Sequence, residues 1–228
     1  MMRRNIALIP AAGVGARFGA GKPKQYVEIN GKTVLQHTIE IFEQHSRIDL
    51  IAVILSPEDS VFQTALSEKV RVFQVGGASR AETVRNGVSV LLEQGLAEAQ
   101  DNILVHDAAR CCLPAEALTR LLDEAGENDE GGILAIPVAD TLKRADGSHH
   151  IDETVARAGL WQAQTPQLFQ TALLNRALSV DDLSEITDEA SAVEKLGIRP
   201  RLVQGDTRNL KLTLPQDEYI VRLLLKAV

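Results

Sequence analysis

Short apolar runs alternate with amphipathic stretches through the first 138 residues of the chain, and this alternation constrains the fold more than any other feature. An apolar run of strand length predicts a buried strand, whereas apolar residues spaced three or four apart predict a helix. Repeated strand–helix units form right-handed crossovers, which bring parallel strands into one sheet and place helices on both of its faces. The sequence therefore predicts an α/β fold with a mostly parallel sheet.

The predicted elements extend over the whole chain and indicate one Rossmann-like domain, residues 1–228. Buried strands are predicted at Asn5–Ile9, Ile48–Leu55, Val70–Val75, Asn102–His106 and Gly132–Val138. Helices are predicted at Thr33–His45, Pro57–Ser67, Ala81–Gln94 and Pro114–Glu124. The C-terminal part predicts helices at Leu168–Leu178, Asp188–Leu196 (capped by Thr187) and Pro215–Lys226, with short strands at Arg201–Val203 and Asn209–Thr213.

Residues 138–164 interrupt the alternation, because they contain no strong apolar run. Asp146-Gly147 stands between two extended polar segments, which is a good signal for a hairpin turn. A hairpin that projects from a compact sheet leaves its edges unpaired unless it packs on something. We therefore predict a projecting β-arm over 138–164, and we expect it to pack on a second copy of the chain in a homodimer.

The composition argues against several classes of protein. Hydrophobic residues make up 45% of the chain and charged residues 24%, which is typical of a globular protein, and no window approaches the ~20 apolar residues of a membrane helix. Met1–Ile9 lacks the pattern of a signal peptide, so we expect a cytoplasmic protein without a membrane partner. The two cysteines, Cys111 and Cys112, are adjacent, which favours small buried thiols over a disulfide or a zinc site.

The net charge of −7 argues against binding to nucleic acid, but the charge is unevenly distributed. Residues 1–32 contain six basic residues and one acid, so this segment carries +5 and the remainder carries −12. A basic segment in an acidic protein predicts local binding of a small polyanion. Chance clustering of solvated cations is the alternative explanation.

The basic segment contains a glycine-rich loop from Pro10 to Gly19, which follows the first predicted strand and precedes Gly21-Lys22-Pro23-Lys24-Gln25. Open α/β sheets bind ligands at this edge, and small residues let backbone N–H groups approach phosphate oxygens. A dinucleotide-binding fingerprint fits poorly, because its third glycine comes one place late and no acid ends the second strand. A Walker A loop fails, since Gly21-Lys22 is followed by proline. The third possibility is the phosphate-binding loop of a nucleotidyltransferase of the sugar-nucleotide pyrophosphorylase type. Such a loop needs glycines that hold the triphosphate and nearby Arg and Lys that neutralise the reacting phosphate, and this sequence has both.

A series of further motifs follows this loop in order along the chain. The series consists of Pro10-Ala-Ala-Gly-Val-Gly-Ala-Arg17, Pro23-Lys-Gln-Tyr26, Gly76-Gly77 with Arg80 and Thr83, Val105-His-Asp-Ala-Ala-Arg110, Pro137 with Asp140-Thr-Leu-Lys143, Arg157 with Gly159-Leu-Trp161, Thr165-Pro-Gln167, Ile186-Thr-Asp-Glu-Ala-Ser191 and Asn209-Leu-Lys211. On these motifs the chain resembles the 2-C-methyl-D-erythritol 4-phosphate cytidylyltransferase family of the non-mevalonate isoprenoid pathway. It departs from the family pattern at Cys111, where proline is frequent, and at Ala78, where an acid is common.

The resemblance implies a glycosyltransferase-A-like nucleotidyltransferase fold and transfer of CMP from CTP to 2-C-methyl-D-erythritol 4-phosphate, with release of pyrophosphate. Ribitol 5-phosphate is an alternative acceptor, and a regulatory module that binds nucleotide without turnover is an alternative of another class. The attacking phosphate is already an anion at neutral pH. Catalysis by this route therefore depends on neutralisation of charge and on alignment rather than on a general base.

The resemblance also implies roles for individual residues. The implied catalytic cations are Arg17, Lys24, Arg157 and Lys211. The implied CTP contacts are Ala11, Ala12, Gly13, Gly15, Lys24, Gly77, Thr83, Asp107 and Ala108. The implied contacts of the acceptor phosphate are Arg110, Thr141, Arg157, Thr165, Thr187 and Lys211, of which Thr141 and Arg157 belong to the arm of the neighbouring subunit. The implied cofactor is Mg²⁺ or another divalent cation, with Asp107 as its ligand, directly or through water.

Overall fold

The computed structural model describes residues 3–13, 23–64 and 67–226. Its strands in chain order are β1 Asn5–Pro10, β2 Glu28–Ile29, β3 Lys32–Thr33, β4 Leu50–Ile54, β5 Val70–Phe73, β6 Asn102–Val105, β7 Gly132–Pro137, β8 Leu142–Ala145, β9 Ile151–Val155, β10 Trp161–Gln170 and β11 Arg201–Gln204. Its α-helices are α1 Val34–Gln44, α2 Arg80–Glu93, α3 Ala115–Ala125, α4 Thr171–Leu178, α5 Glu189–Glu194 and α6 Asp217–Leu224, and Lys24–Tyr26 forms a 3₁₀ turn.

A seven-stranded sheet forms the centre of the fold, in the order β11-β7-β10-β6-β1-β4-β5. β1 pairs in parallel with β4 on one side and with β6 on the other. β5 and β11 continue the parallel pairing at the two edges. Within this sheet β10 runs in the opposite direction, antiparallel to both β6 and β7. The predicted mostly parallel sheet is therefore confirmed.

Both faces of the sheet are covered, because neighbouring residues of β1 belong to different hydrophobic cores. Ile9 packs in one core with Phe42 of α1, together with leucines of α3. Leu8 packs in the other core with Val88 of α2, together with residues of α4. Each fully buried side chain of this size contributes roughly 1.5–3 kcal/mol. The two cores fix the strands, and with them the positions of the loops at the carboxyl ends of the strands.

The predicted helix at Leu168–Leu178 is wrong in its first part, because β10 continues to Gln170 before α4 begins at Thr171. Leu168 lies in the core that contains α1, and the adjacent Phe169 lies in the core that contains α2. Side chains that alternate between two faces belong to a strand. A strand buried on both faces has the same continuous apolar character as a buried helix, which is why the sequence was ambiguous here.

Two other predicted elements do not form. In the described part of Pro57–Ser67 there is no helix, because the side chain of Asp59 accepts from the backbone N–H groups of Val61 and Phe62 and holds a turn. Asn209–Thr213 is not a strand, since its backbone bonds instead to the loop after β6, as in the 2.9 Å bond from Leu212 N to Ala109 O.

The cap of α5 is one residue later than predicted. Asp188 is the N-cap, and its carboxylate accepts from Ser191 N at 2.9 Å. Thr187, the predicted cap, is exposed and donates its backbone N–H to the Ser191 hydroxyl at 3.1 Å. An aspartate and a threonine are both good caps, and the aspartate also places negative charge at the positive end of the helix.

Strands β8 and β9 form the predicted hairpin, which is a separate two-stranded sheet. The carboxylate of Asp146 holds the turn by accepting from Ser148 N at 2.8 Å and His150 N at 3.0 Å. Residues 161–164 of the predicted arm belong to β10 of the central sheet, so we use "the arm" for residues 138–160. At its base, Val138 N donates to Leu160 O at 3.1 Å.

None of the described helices is long and apolar enough to cross a membrane.

Candidate active site

A cavity of about 390 Å³ lies at the carboxyl ends of β1 and β6, beside the N-terminus of α2. Five separate stretches of the sequence contribute to its wall. The wall residues are Pro10, Ala11, Ala12, Gly13, Lys24, Gln25, Gly77, Ala78, Ser79, Arg80, Thr83, Asp107, Ala108, Ala109 and Lys211. This is the edge at which open α/β sheets bind ligands.

The first wall is the loop after β1, which is shaped by the buried side chain of Gln25. Its amide nitrogen donates to Ala11 O and to Gly13 O, both at 2.9 Å. These bonds hold Ala12 and Gly13 at the cavity wall. Their small size leaves the backbone of the loop accessible from the cavity. Gly15 and Arg17, which were predicted to act in this loop, lie outside the described residues.

Lys24 is at the start of the 3₁₀ turn that follows this loop, and its ammonium reaches the cavity wall. Its Nζ donates to Leu212 O at 3.2 Å, so it joins the N-terminal loop to the C-terminal part of the chain. Pro23 precedes it with a φ of −57° and a ψ of 137°, and the proline ring fixes this φ. Lys24 therefore lies at the cavity wall, and its catalytic role stays a prediction.

The second wall is the turn between β5 and α2. Gly77 N donates to the Thr83 hydroxyl at 3.1 Å, and that hydroxyl donates to Ser79 O at 2.9 Å. A Cβ atom added at Gly76 would lie 2.3 Å from Ala12 Cβ and 2.7 Å from Leu55 O. Only glycine allows this close approach, which brings the turn against the loop after β1.

Asp107 forms the floor of the cavity, and its side chain is 9% exposed. Among the described residues, three cations contact its carboxylate: Arg80 Nε at 2.9 Å from Oδ1, Lys211 Nζ at 2.9 Å from Oδ2, and Arg110 Nε at 3.3 Å from Oδ2. Burial acts to raise the pKa of Asp107, but the three cations outweigh burial and hold the pKa far below its usual range. The carboxylate is therefore ionised at neutral pH.

Arg80 carries a second carboxylate partner behind the cavity. Its two terminal nitrogens donate to Glu189 of α5 at 2.6 and 3.1 Å. Burial acts to lower the pKa of Arg80, but Glu189 and Asp107 outweigh it, so the pKa is raised and the guanidinium stays charged. Burial raises the pKa of Glu189, and the pair with Arg80 opposes that rise.

A layer of hydrogen bonds lies beneath Asp107. The Thr165 hydroxyl accepts from Asp107 N at 3.0 Å and contacts His106 Nδ1 at 3.1 Å, while His106 Nε2 contacts Arg110 O at 3.0 Å. Asn209 donates to Thr165 O at 2.7 Å. Burial lowers the pKa of His106 to about 4, so the ring is neutral at pH 7. These groups hold the floor in place and are themselves below the cavity.

The predicted acceptor residues are distributed over three places. Lys211 lines the cavity, whereas Arg110 and Thr165 lie beneath it in contact with Asp107. Thr141 and Arg157 are exposed on the arm, outside the cavity wall formed by the described residues. Thr187 is exposed at the start of α5. Among the described residues, one chain therefore brings the predicted CTP residues to one cavity wall but, of the predicted acceptor residues, brings only Lys211 there.

The donor set fits a metal ion that arrives with a nucleotide better than a resident metal. The described residues contain no group of three or more His, Cys, Asp or Glu side chains that could hold an ion. Asp107 is the one carboxylate among the described residues of the cavity wall. Mg²⁺ is commonly bound through one or two carboxylates together with substrate phosphates and water, and a carboxylate has about four acceptor positions. Asp107 therefore suits Mg²⁺ that is held mainly by phosphates.

The sequence prediction missed the roles of several residues of this site. Arg80, Gln25 and Glu189 all stand inside quoted motifs, yet none of them was chosen as a site residue. The missed signal is a charged or amide side chain next to a glycine turn or in the first turn of a helix at the ligand-binding edge. The pairing of Arg80 with Glu189 spans 109 positions of sequence, so spacing alone does not indicate it.

Comparison with known proteins gives a consistent result over the full chain. The family model for 2-C-methyl-D-erythritol 4-phosphate cytidylyltransferase matches residues 5–227. A protein of that name from Neisseria meningitidis serogroup A is 71% identical over 100% of both chains, and one from Chromobacterium violaceum is 49% identical over 97% of this chain and 98% of the other. A crystal structure of a 4-diphosphocytidyl-2C-methyl-D-erythritol synthase is 64% identical, with a TM-score of 0.89 over 99% of this chain and 100% of that one. The cytidylyltransferase of Francisella tularensis is 32% identical, with a TM-score of 0.82 over 97% and 99% of the two chains.

Proposed function

Because the chain belongs to the 2-C-methyl-D-erythritol 4-phosphate cytidylyltransferase family and transfers CMP from CTP to that acceptor in isoprenoid biosynthesis, we propose that the transfer takes place in the cavity above Asp107. The observation that supports this location is the convergence of distant sequence stretches on one wall. Residues implied to bind CTP near positions 11, 77 and 107 line the same 390 Å³ cavity as Lys24 and Lys211.

In the proposed reaction a phosphate oxygen of the acceptor attacks the α-phosphorus of CTP in line with the leaving group. A new bond forms between that oxygen and the α-phosphorus, and the bond from the α-phosphorus to the oxygen that bridges to the β-phosphate breaks. Pyrophosphate leaves with the bonding electrons. The attacking oxygen carries no proton that must be removed, so the reaction needs no general base. The neutral His106, with both ring nitrogens in contact with protein groups, is consistent with this.

The main barrier is the approach of one anion to another, and fixed cations lower it. We assign this role to Lys24 and Lys211, which line the cavity, and to Arg17 of the preceding loop. Lys24 is held by Leu212 O and Lys211 by Asp107, so both ammonium groups occupy defined positions before substrate binds. A cation that is already in place costs no reorganisation during the reaction.

We assign the nucleotide contacts by wall. Ala11, Ala12 and Gly13 of the loop after β1, with Gly15, would lie along the triphosphate and ribose, where small residues permit close backbone approach. Gly77 and Thr83 would face the cytosine ring. Asp107 and Ala108 would contact the ribose, and Asp107 would also hold Mg²⁺ beside the phosphates, where the ion would neutralise phosphate charge.

The acceptor would be bound between two subunits of a homodimer. Within one chain, Lys211 lines the cavity, and Arg110 and Thr165 contact Asp107 beneath it. Thr187 is exposed at the start of α5, and Thr141 and Arg157 are on the exposed arm. Ile151 on the arm is 66% exposed and Trp161 at its base is 38% exposed, which is apolar surface suited to burial against another protein surface. Exchange of arms would bring the partner's Arg157 to the acceptor phosphate. We also propose that the enzyme is cytoplasmic.

Turnover with two acceptors tests this assignment. Purified enzyme with CTP and Mg²⁺ is offered either 2-C-methyl-D-erythritol 4-phosphate or ribitol 5-phosphate, and release of pyrophosphate is measured. We expect the methylerythritol acceptor to be preferred, because the similar curated proteins carry that name. A higher kcat/KM for ribitol 5-phosphate would contradict the acceptor assignment.

The same assay tests the location of the site. Lys24→Ala should lower kcat about 10²- to 10³-fold, which is the usual loss for one fixed donor to developing charge. The matched control is Lys32→Ala, which removes a cation of the same basic segment that pairs with Glu40 on the surface. Lys32→Ala should retain kcat within about twofold. Equal kcat values in the two variants would contradict the proposal that the transfer takes place in this cavity.

A further inference from the structure

Helix α5 contributes a buried carboxylate that the mechanism above does not use. Glu189 is the first residue of this helix and is 1% exposed. Its two carboxylate oxygens accept from Arg80 at 2.6 and 3.1 Å. A buried carboxylate requires a charged partner or close hydrogen bonds, and here one arginine supplies both.

Arg80 connects this carboxylate to the reaction site. Its guanidinium lines the cavity, and its Nε donates to Asp107 Oδ1 at 2.9 Å. A planar guanidinium that is held by two parallel bonds to one carboxylate has little freedom to rotate. The position of Nε therefore depends on Glu189, and the position of Asp107 Oδ1 depends on Nε.

The other oxygen of Asp107 is held independently. Arg110 Nε and Lys211 Nζ contact Oδ2, and Arg110 is fixed in turn by a 2.6 Å bond to Asn209 O. The carboxylate is thus held by Arg80 and Glu189 on one side and by the C-terminal part of the chain on the other. Loss of Glu189 would release one side only, so the rest of the cavity floor would keep its contacts.

The energetics favour a positioning role for the buried pair over a stabilising one. Desolvation of both ions offsets most of their attraction, so a buried ion pair is weak evidence for stability. The pair also lies directly behind a cavity rather than within one of the two hydrophobic cores. A costly pair in this place is explained if it orients a group that contacts substrate.

We propose that Glu189 is a positioning residue for CMP transfer: it fixes Arg80 and, through Arg80, orients the Asp107 carboxylate toward the bound nucleotide. The inference rests on the proposed role of Asp107 in the CTP site. Arg80 contacts the cavity and Glu189 does not, so Glu189 acts only through its neighbour.

Glu189→Gln tests the proposal, because it keeps the size of the side chain and removes its charge. Glu194→Gln is the matched control, since it makes the same change at the exposed end of the same helix. We expect kcat/KM for CTP to fall about 10- to 100-fold in Glu189→Gln, as is usual for a group that orients a ligand-binding side chain. The control should stay within twofold of the wild type, and thermal unfolding should show both variants to be folded.

A double-mutant cycle with Asp107→Asn separates positioning from a general structural effect. If Glu189 acts through Asp107, adding Glu189→Gln to Asp107→Asn should change kcat/KM by less than about threefold. CTP affinity from calorimetry replaces turnover in this background if the rate is below detection. An undiminished loss in the Asp107→Asn background, or wild-type activity of folded Glu189→Gln, overturns the proposal.

Two further outcomes are also decisive. Wild-type activity of Asp107→Asn would show that the proposed CTP site is misplaced, which is distinguishable from a failure confined to Glu189. If Glu189→Gln does not fold, Arg80→Lys replaces it, because lysine keeps the charge beside Glu189 but lacks the planar fork. The same loss of about 10- to 100-fold is expected from Arg80→Lys, and wild-type kcat/KM in that variant overturns the proposal.

Discussion

The cavity above Asp107 and the arm of residues 138–160 are both proposed to contact substrate, yet they are built in opposite ways. Asp107 is buried and bonded to three cations, of which Arg80 and Arg110 are held by further contacts to Glu189 and Asn209. The two arm strands pair with each other, and Arg157 at their base is exposed. The difference agrees with our proposal that one chain supplies the nucleotide half of the site and that a second chain completes the acceptor half.

The largest effect is expected from deletion of the arm, which tests whether only the acceptor half of the site depends on it. Removal of residues 139–158 joins Val138 to Gly159 next to an existing contact between Val138 N and Leu160 O, so the central sheet should fold. We expect a monomer that binds CTP within about threefold of the wild type but has lost at least about 100-fold in turnover, because the acceptor is no longer held. Calorimetry measures the affinity for CTP, analytical ultracentrifugation measures the oligomeric state, and pyrophosphate release measures turnover. A dimeric truncation with full turnover would contradict the shared acceptor site.

A smaller effect is expected in the pH dependence of stability, and it concerns the layer of residues beneath the cavity floor. The pKa of His106 is lowered to about 4 in the fold, from a usual value near 6.5. Neutral His106 therefore makes its full contribution to the free energy of unfolding above pH 6.5. This contribution is lost as the pH falls toward 4, because in that range the unfolded chain binds the proton more readily than the folded chain. The loss amounts to about 3 kcal/mol at most.

Denaturant unfolding at pH 7, 6, 5 and 4.5 measures this contribution. The control is His106→Asn, which keeps a polar side chain but cannot titrate, and whose stability should depend less on pH over the same window. The comparison of the two proteins is needed because Glu189, whose pKa is raised by burial, acts in the opposite sense. Identical slopes in wild type and variant would remove His106 as the cause.

The smallest expected effect concerns an ion pair of the arm. Arg144 Nε lies 2.6 Å from Glu153 Oε1, and the two side chains are 61% and 55% exposed. An exposed pair of this kind contributes less than about 1 kcal/mol. A double-mutant cycle with Arg144→Ala and Glu153→Ala, read as the free energy of unfolding, should give a coupling energy below that value that disappears in high salt. A larger coupling energy would mean that the arm is braced like the cavity floor.

The sequence was informative where one physical signal acted alone. The strands β1, β4 and β6 are continuous apolar runs buried on both faces, and they were predicted within a few residues of their observed ends. The hairpin turn at Asp146-Gly147 was predicted from turn chemistry and is present. The order of the motifs likewise indicated residues that line one cavity, such as Gly13, Gly77 and Asp107.

Prediction failed where a local signal competed with a contact distant in sequence. Pro57–Ser67 has helical spacing, but the Asp59 carboxylate accepts from the backbone N–H groups of Val61 and Phe62. It also accepts from the Tyr26 hydroxyl at 2.5 Å. Asn209–Thr213 has the composition of a strand, but its backbone bonds to the loop after β6. The Arg80–Glu189 pair is of the same kind, because nothing near either residue specifies the other. Such contacts become visible only when the fold is known.

The bond from Lys24 Nζ to Leu212 O has a consequence for the synthesis of the protein. A loop made at the start of translation is completed by a segment made close to its end, and Lys211 next to it closes the floor on Asp107. A nascent chain that stops before this segment would contain most of the hydrophobic core but no finished pocket. On the proposed location of the site, incomplete copies of the enzyme should therefore be unable to turn over CTP.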